Sequence, residues 1–233
     1  MKDNPLLLHI ETATEICSVA LSEGDKIVSV CDNSDGNSHS KNLLPFIDKI
    51  MKEANRELKE LDGVVVSIGP GSYTGLRIGV STAKGIAYSL QIPVITVGTL
   101  EGIANGCRSQ IADLSSLQIV PMIDARRMEV FAARYDADMN LIDDVAAVIV
   151  EEDSYAELLS KQRVVFCGNG MPKCKELLSR FENAQFAEFP ISAKFMLPTA
   201  LKKWETEDFA DVAYFEPFYL KEYVAAKPHV KGL

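Results

Sequence analysis

The sequence predicts an α/β protein of two like domains, each a mixed sheet flanked by helices. Three observations carry this. β-type runs at the N-terminus give way to alternating helical and strand periods. Two stretches of the second half repeat the order of residue types in the first. Across 233 residues, 47% are apolar, enough to pack cores of that size.

Leu6 to Ile10 forms a short apolar strand ending at the acid-hydroxyl stretch Glu11-Thr12-Ala13-Thr14. Ile16 to Leu21 alternates, Ser22-Glu23-Gly24-Asp25 supplies a turn, and Lys26 to Cys31 completes an antiparallel meander. From Lys41 the period changes: Leu43, Ile47, Ile50 and Ala54 recur at helical spacing, widened by Leu44 and Met51. Val64 to Ile68 reads as a buried strand. "GPGSYTGLRIGVSTAKG" (Gly69 to Gly85) then leads into a helix over 74–90, and Val94 to Val97 gives the next strand.

The repeat lies in "HIETATEICSVAL" (His9 to Leu21) beside "MIDARRMEVFAARY" (Met122 to Tyr135), and in "VVVSIGPG" beside "VVFCGNG". Each first pair places an acid, Glu11 or Asp124, at the tip of a hairpin. The predicted limits are 1–104 and 105–220, followed by a short polar tail at 221–233 that is expected to be mobile.

Charge and cysteines narrow the function. With 33 acidic and 24 basic residues the net charge is -9, which argues against a broad nucleic-acid-binding face. Five scattered cysteines without a CxxC pair, and no leader at Met1-Lys2-Asp3, are read as a reduced, cytoplasmic protein without a zinc site. No apolar run approaches the ~20 residues of a membrane span. Of three histidines, His9 lies in a strand and His229 in the tail, while Ser38-His39-Ser40 reads as helix-start chemistry.

A glycine-rich turn between strand and helix suggests a phosphate cradle. This one lacks the Gly-Lys-Ser/Thr ending of a Walker loop. Its helix instead shows two stripes. Leu76, Val80, Ala83, Ala87 and Leu90 suit the sheet, whereas Gly75, Gly79, Ser81, Gly85 and Ser89 are small. Glycine inside a helix costs about 1 kcal/mol relative to alanine, and close approach of another helix would offset that. The neighbour is either the 41–54 helix of the same chain or another protein. Leu43, Leu44, Phe46, Ile47, Ile50 and Met51 give the 41–54 helix more apolar surface than one neighbour covers, which favours an intermolecular contact.

"GPGSYTGLRIGVSTAKGIAY", "IDARRMEVF" and "LLLHIETATEICSVAL" resemble the TsaB (YeaZ) family, within the actin-like ATPase and sugar-kinase superfamily. The resemblance covers the first 135 residues well and the remainder in outline. It implies a duplicated actin-like ATPase (ribonuclease H-like) fold. The implied role is non-catalytic, in making threonylcarbamoyladenosine of tRNA: partner to TsaD, with TsaE, after TsaC has made the threonylcarbamoyl-adenylate. The family's helices dock TsaD as a bundle, or pair as a homodimer when TsaD is absent. No tRNA binding by this chain alone is expected. On this basis the expected partner interface is Leu43, Leu44, Ile47, Ile50, Met51, Ile78, Ser81, Gly85 and Ser89.

The catalytic relative carries a histidine pair in a pattern like N-H-x-E-G-H. Thr99 and Ile103 stand at those positions here, around Glu101-Gly102, so no metal site is expected. Glu11, Thr12, Gly69, Gly71, Asp124 and Arg126 are the candidates for a phosphate-facing set. Glu11 stands where the superfamily has Asp, and Arg126-Arg127 where a phosphate turn favours Gly or Ser. These arginines could attract an anion, or pair with Glu129 or a partner's acids. No intrinsic cofactor is expected beyond weak ATP or ADP binding at the partner interface. The competing readings are a divergent ATPase or phosphotransferase, a metallopeptidase, and a nucleotide-sensing module.

Overall fold

Each half of the chain winds the same five-stranded sheet. In the first, β1 (Leu6–Glu11), β2 (Cys17–Glu23) and β3 (Lys26–Asn33) form the antiparallel meander, and β4 (Gly63–Ser67) and β5 (Val94–Val97) extend it in parallel. The order is β3-β2-β1-β4-β5. In the second, β6 (Leu117–Asp124), β7 (Glu129–Asp136), β8 (Leu141–Ile149), β9 (Arg163–Cys167) and β10 (Ala184–Ala187) repeat it as β8-β7-β6-β9-β10. The computed structural model describes residues 2–33, 39–113 and 115–221.

Strands buried on both faces explain the unbroken apolar run Val64-Val65-Val66. On one face Leu8, Ile10, Val64 and Val66 meet α1 (His39–Glu53) and α2 (Tyr73–Leu90) through Leu43, Ile47, Ile50, Val80 and Ala83. On the other, Leu7, Val65, Ile95 and Val97 meet the 3-10 turn Ala193–Met196 and α6 (Leu197–Glu205) through Met196, Ala200 and Trp204. The second sheet lies between α3 (Thr99–Arg108) on one side and α4 (Ala156–Leu159) and α5 (Met171–Leu178) on the other.

Packing divides the chain differently from a single cut at 104. That cut falls inside α3, whose Leu100, Ile103, Ala104 and Cys107 join the second core. Residues 193–218 return to the first half: Ala210 bridges Val94, and Val212 and Phe215 pack on the first core. α1 ends at Glu53, leaving Ala54 beyond its last turn, and begins at His39, whose Nε2 bonds the Thr14 carbonyl oxygen at 2.8 Å. Ser72 caps α2, its Oγ accepting from the Gly75 amide at 3.2 Å. Ser38, His229 and residues 222–233 of the tail lie outside the described residues.

Candidate functional site

Where β1 ends, the chain closes on itself. Glu11 is 2% exposed, and its Oε1 accepts from the Ala13 amide at 2.6 Å and the Ser67 hydroxyl at 2.9 Å. Burial pushes its carboxyl up to about 7, against the lowering effect of those bonds. Thr12, also buried, donates to the Gly75 carbonyl at 2.8 Å, and the Ser72 amide donates to the Ala13 carbonyl at 2.6 Å. A Cβ at Gly71 would fall into the Ala13 backbone, and one at Gly69 into the Phe218 carbonyl. Only glycine permits either approach.

The amides and hydroxyls that would cradle a phosphate therefore bond the hairpin to the turn. A cleft of about 1120 Å³ runs between the halves; Gly71, Asp124 and Arg126 line it, but Glu11, Thr12 and Gly69 do not. These last three depart from the phosphate-facing expectation, because the turn after β4 packs directly on the end of β1.

The second hairpin is open but occupied. Asp124 forms an ion pair with Lys173 and accepts from the Arg126 amide at 2.8 Å. Burial raises the Asp124 carboxyl, yet Lys173 and the Arg126 amide outweigh it and hold the carboxyl below its ordinary value. Arg126 and Arg127 have φ of 70° and 51°, a conformation that costs a non-glycine residue about 1–3 kcal/mol. Glu129 pairs not with them but with Lys221, at 2.5 Å. Sequence reasoning missed Lys173, which lies 49 residues from Asp124 with no motif linking the two.

Thr99 and Ile103 are buried, and Glu101 accepts from the Thr199 hydroxyl at 2.8 Å. Among the described residues no three His, Cys, Asp or Glu side chains converge as metal ligands.

The two helices sort the expected partner residues. Leu43, Ile47, Ile50 and Met51 are buried in the chain's own core. They support α1 from beneath and offer no accessible surface, because their shared face meets the sheet. Leu44 is 61% exposed. On α2, Ser81, Gly85 and Ser89 are exposed, Ile78 is half-buried, and Tyr88, absent from the sequence-based set, is 81% exposed. A Cβ at Gly85 would meet nothing within 4 Å. Gly75 and Gly79 have a different role: each accommodates Thr12, so the end of β1 and not a helix requires them. The other flank of α2 is taken. Arg77 donates to the Tyr219 hydroxyl at 3.1 Å, and Lys84 lies 4.5 Å over the Phe215 ring.

Two copies of one sheet order, with an acid ending each first strand and a cleft between the halves, define the actin-like ATPase fold. The activator of 2-hydroxyisocaproyl-CoA dehydratase from Clostridium difficile, solved with bound ADPNP, shares this fold alone, at 10% identity, a TM-score of 0.51 and coverage of 88% of this chain and 98% of that one. YeaZ from Pseudomonas aeruginosa is much nearer: TM-score 0.73 and 27% identity over 93% of this chain and 100% of that one. The family model for TsaD, tRNA N6-adenosine threonylcarbamoyltransferase, matches residues 34–215. The tRNA threonylcarbamoyladenosine biosynthesis protein TsaB of Escherichia coli K12 is 31% identical over 95% of this chain and 96% of its own length. The chain belongs to the TsaB (YeaZ) family.

Proposed function

We propose that this chain is a non-catalytic subunit for threonylcarbamoyladenosine formation on tRNA, docking a TsaD-type transferase, with TsaE in the same assembly, through the exposed arc of α2. The carrying observation is that arc. Ser81, Gly85 and Ser89 present little more than backbone, next to the exposed ring of Tyr88, so a second helix can approach closely. Leu44 on α1 adds an apolar contact. Without the transferase, the same arc pairs two copies of the chain.

The non-catalytic part rests on the corner at β1. A γ-phosphate transfer needs a positioned Mg²⁺ and an oriented nucleophile, and Glu11 Oε1 and the Thr12 hydroxyl are engaged by the chain itself. In this reading no cofactor is resident, and ATP or ADP meets the chain only across the partner interface. The compartment is the cytoplasm, consistent with five free, buried cysteines.

Gly85→Arg tests the docking. It should abolish co-purification with TsaD while leaving the fold intact, since position 85 faces open space. Undiminished co-purification would refute the surface. Reconstituted tRNA modification that proceeds equally well without this chain would refute the role. Mg²⁺-dependent ATP turnover, lost in both Glu11→Ala and Asp124→Ala, would favour the phosphotransferase alternative.

A further inference from the structure

A bulge in the ladder between β7 and β8 gathers two carboxylates that a regular strand would separate. Ala132 pairs with Ala146 and Arg134 with Asp143, so β7 advances two residues while β8 advances three. Val145 and Asp144 together stand opposite Ala133. In a regular strand Asp143 and Asp144 would point to opposite faces. Here both line one cavity of about 270 Å³, on the side of the sheet that carries α4 and α5.

Ala132, Ala146 and Val148 give that cavity an apolar lining, and Tyr155 an aromatic one. Asp143 is matched: Arg134 Nε lies 2.7 Å from its Oδ2, and Arg134 Nη1 donates to Gln118 Oε1 at 3.2 Å. Asp144 is exposed and makes no ion pair or hydrogen bond with any described residue. The lining therefore carries one carboxylate without a counter-charge. Tyr155 has a φ of 63°, an unfavourable conformation for an aromatic residue, and its ring packs edge-on against Phe166 at 5.2 Å. Burial raises its hydroxyl to about 12, so the group is neutral at pH 7, and no described residue hydrogen-bonds it.

We propose that this cavity binds one primary alkylammonium group, its stem on Ala132, Ala146 and Val148 and its charge met by Asp144 and Tyr155. An ammonium has three N–H donors, for which the Asp144 carboxylate and the Tyr155 hydroxyl offer acceptors, and an aromatic ring attracts a cation. A neutral ligand would leave Asp144 unmatched, and a diamine would find no second free carboxylate in the lining. Pockets for drug-sized ligands span about 300–1,000 Å³, so this smaller cavity suits a single side-chain-sized group. A lysine side chain of another protein and a free monoamine share that chemistry. The cavity belongs to the second half of the chain and α2 to the first, so the inference does not depend on the proposed function.

The test is titration of the full chain with n-butylammonium chloride, followed by amide chemical shifts. Saturable shifts at Ala132, Ala146, Val148 and Tyr155 are expected, with none from n-butanol at the same concentrations. Asp144→Asn should weaken binding about fivefold, and added salt should weaken it too. Ala146→Leu, at an exposed position that tolerates the change, should block it without moving the urea midpoint. Nα-acetyl-lysine methylamide separates the two sources: tighter binding than n-butylammonium assigns the cavity to a protein side chain, and weaker binding assigns it to a free amine. No saturable shift with either amine, equal shifts from n-butanol, or binding indifferent to Asp144→Asn would each overturn the site.

Discussion

Thr12 fills the space that a side chain at position 79 would need: a Cβ on Gly79 would overlap the Thr12 hydroxyl oxygen. α2 is thereby held against the end of β1 at a distance only glycine allows. Gly85, two turns further on, has nothing within 4 Å. The two glycines should respond oppositely to the same change. Gly85→Ala should stabilise by about 0.5–1 kcal/mol, the helix-propensity gain. Gly79→Ala should destabilise by about 1–3 kcal/mol, the overpacking cost. Urea unfolding of both variants measures this, and equal signs would contradict the packing described.

The buried carboxyl of Glu11 makes stability depend on pH. Its pKa is about 7 in the folded chain against 4.5 ordinarily, so the folded state binds the proton more tightly. Its contribution is full below about 4.5 and is lost as pH rises through 7. His9 acts in the opposite sense. Burial lowers it from 6.5 to about 3, so its contribution is lost as pH falls below 6.5. Between 4.5 and 6.5 the two slopes cancel. Glu11→Gln should unmask the His9 slope there, and it should remove a loss of about 3 kcal/mol between pH 4.5 and 8. Denaturation midpoints from pH 4 to 8 read it out; parallel curves for wild type and variant would count against the buried acid.

The C-terminal segment is fastened along α2. Tyr219 accepts from Arg77 and packs its ring, tilted by 36°, against that of Tyr73 at 4.8 Å, while the Phe218 amide donates to the Ile68 carbonyl at 2.6 Å. Tyr219→Ala removes the ring contact and the hydrogen bond together, about 1 kcal/mol of local stability. The Phe218 amide should then exchange its hydrogen about fivefold faster, with exchange in β1 unchanged.

Truncation distinguishes the two ways of dividing the chain. Ending it at residue 192 removes Met196, Ala200 and Trp204 from Leu7, Val65, Ile95 and Val97. The shortened chain should lose cooperative unfolding in its first half, because one face of that sheet is bared. A truncated chain that unfolds like the full one would show that α6 is dispensable.

Local pattern made much of this legible in advance. The meander follows from a period of two residues, the valine run from an unbroken apolar stretch buried on both faces, and the paired hairpin acids from an acid at a strand end. The missing histidines at 99 and 103 were equally plain. The helical period also carried a distinction not drawn from it: Leu43, Ile47 and Ile50 lie along one stripe of α1, with Leu44 off its edge. The burial of the first three follows from that stripe; the exposure of Leu44 does not, since Met51, seven residues on and at nearly the same angle, is buried.

What sequence alone determined is the plan: two like domains, each with a mixed sheet, and the residue types offered at each hairpin and helix face. Only the tertiary structure decided how those offers are used. The corner at Glu11 is closed because the turn at Gly69–Gly75 packs on it from about sixty residues away. Asp124 is neutralised by a lysine 49 residues along, and α2 is half covered by a segment 142 residues from Arg77. Periodicity encodes which way a side chain points within its own element. Whether that direction meets water, a partner or the chain itself depends on distances set by long-range packing, and no local pattern records them.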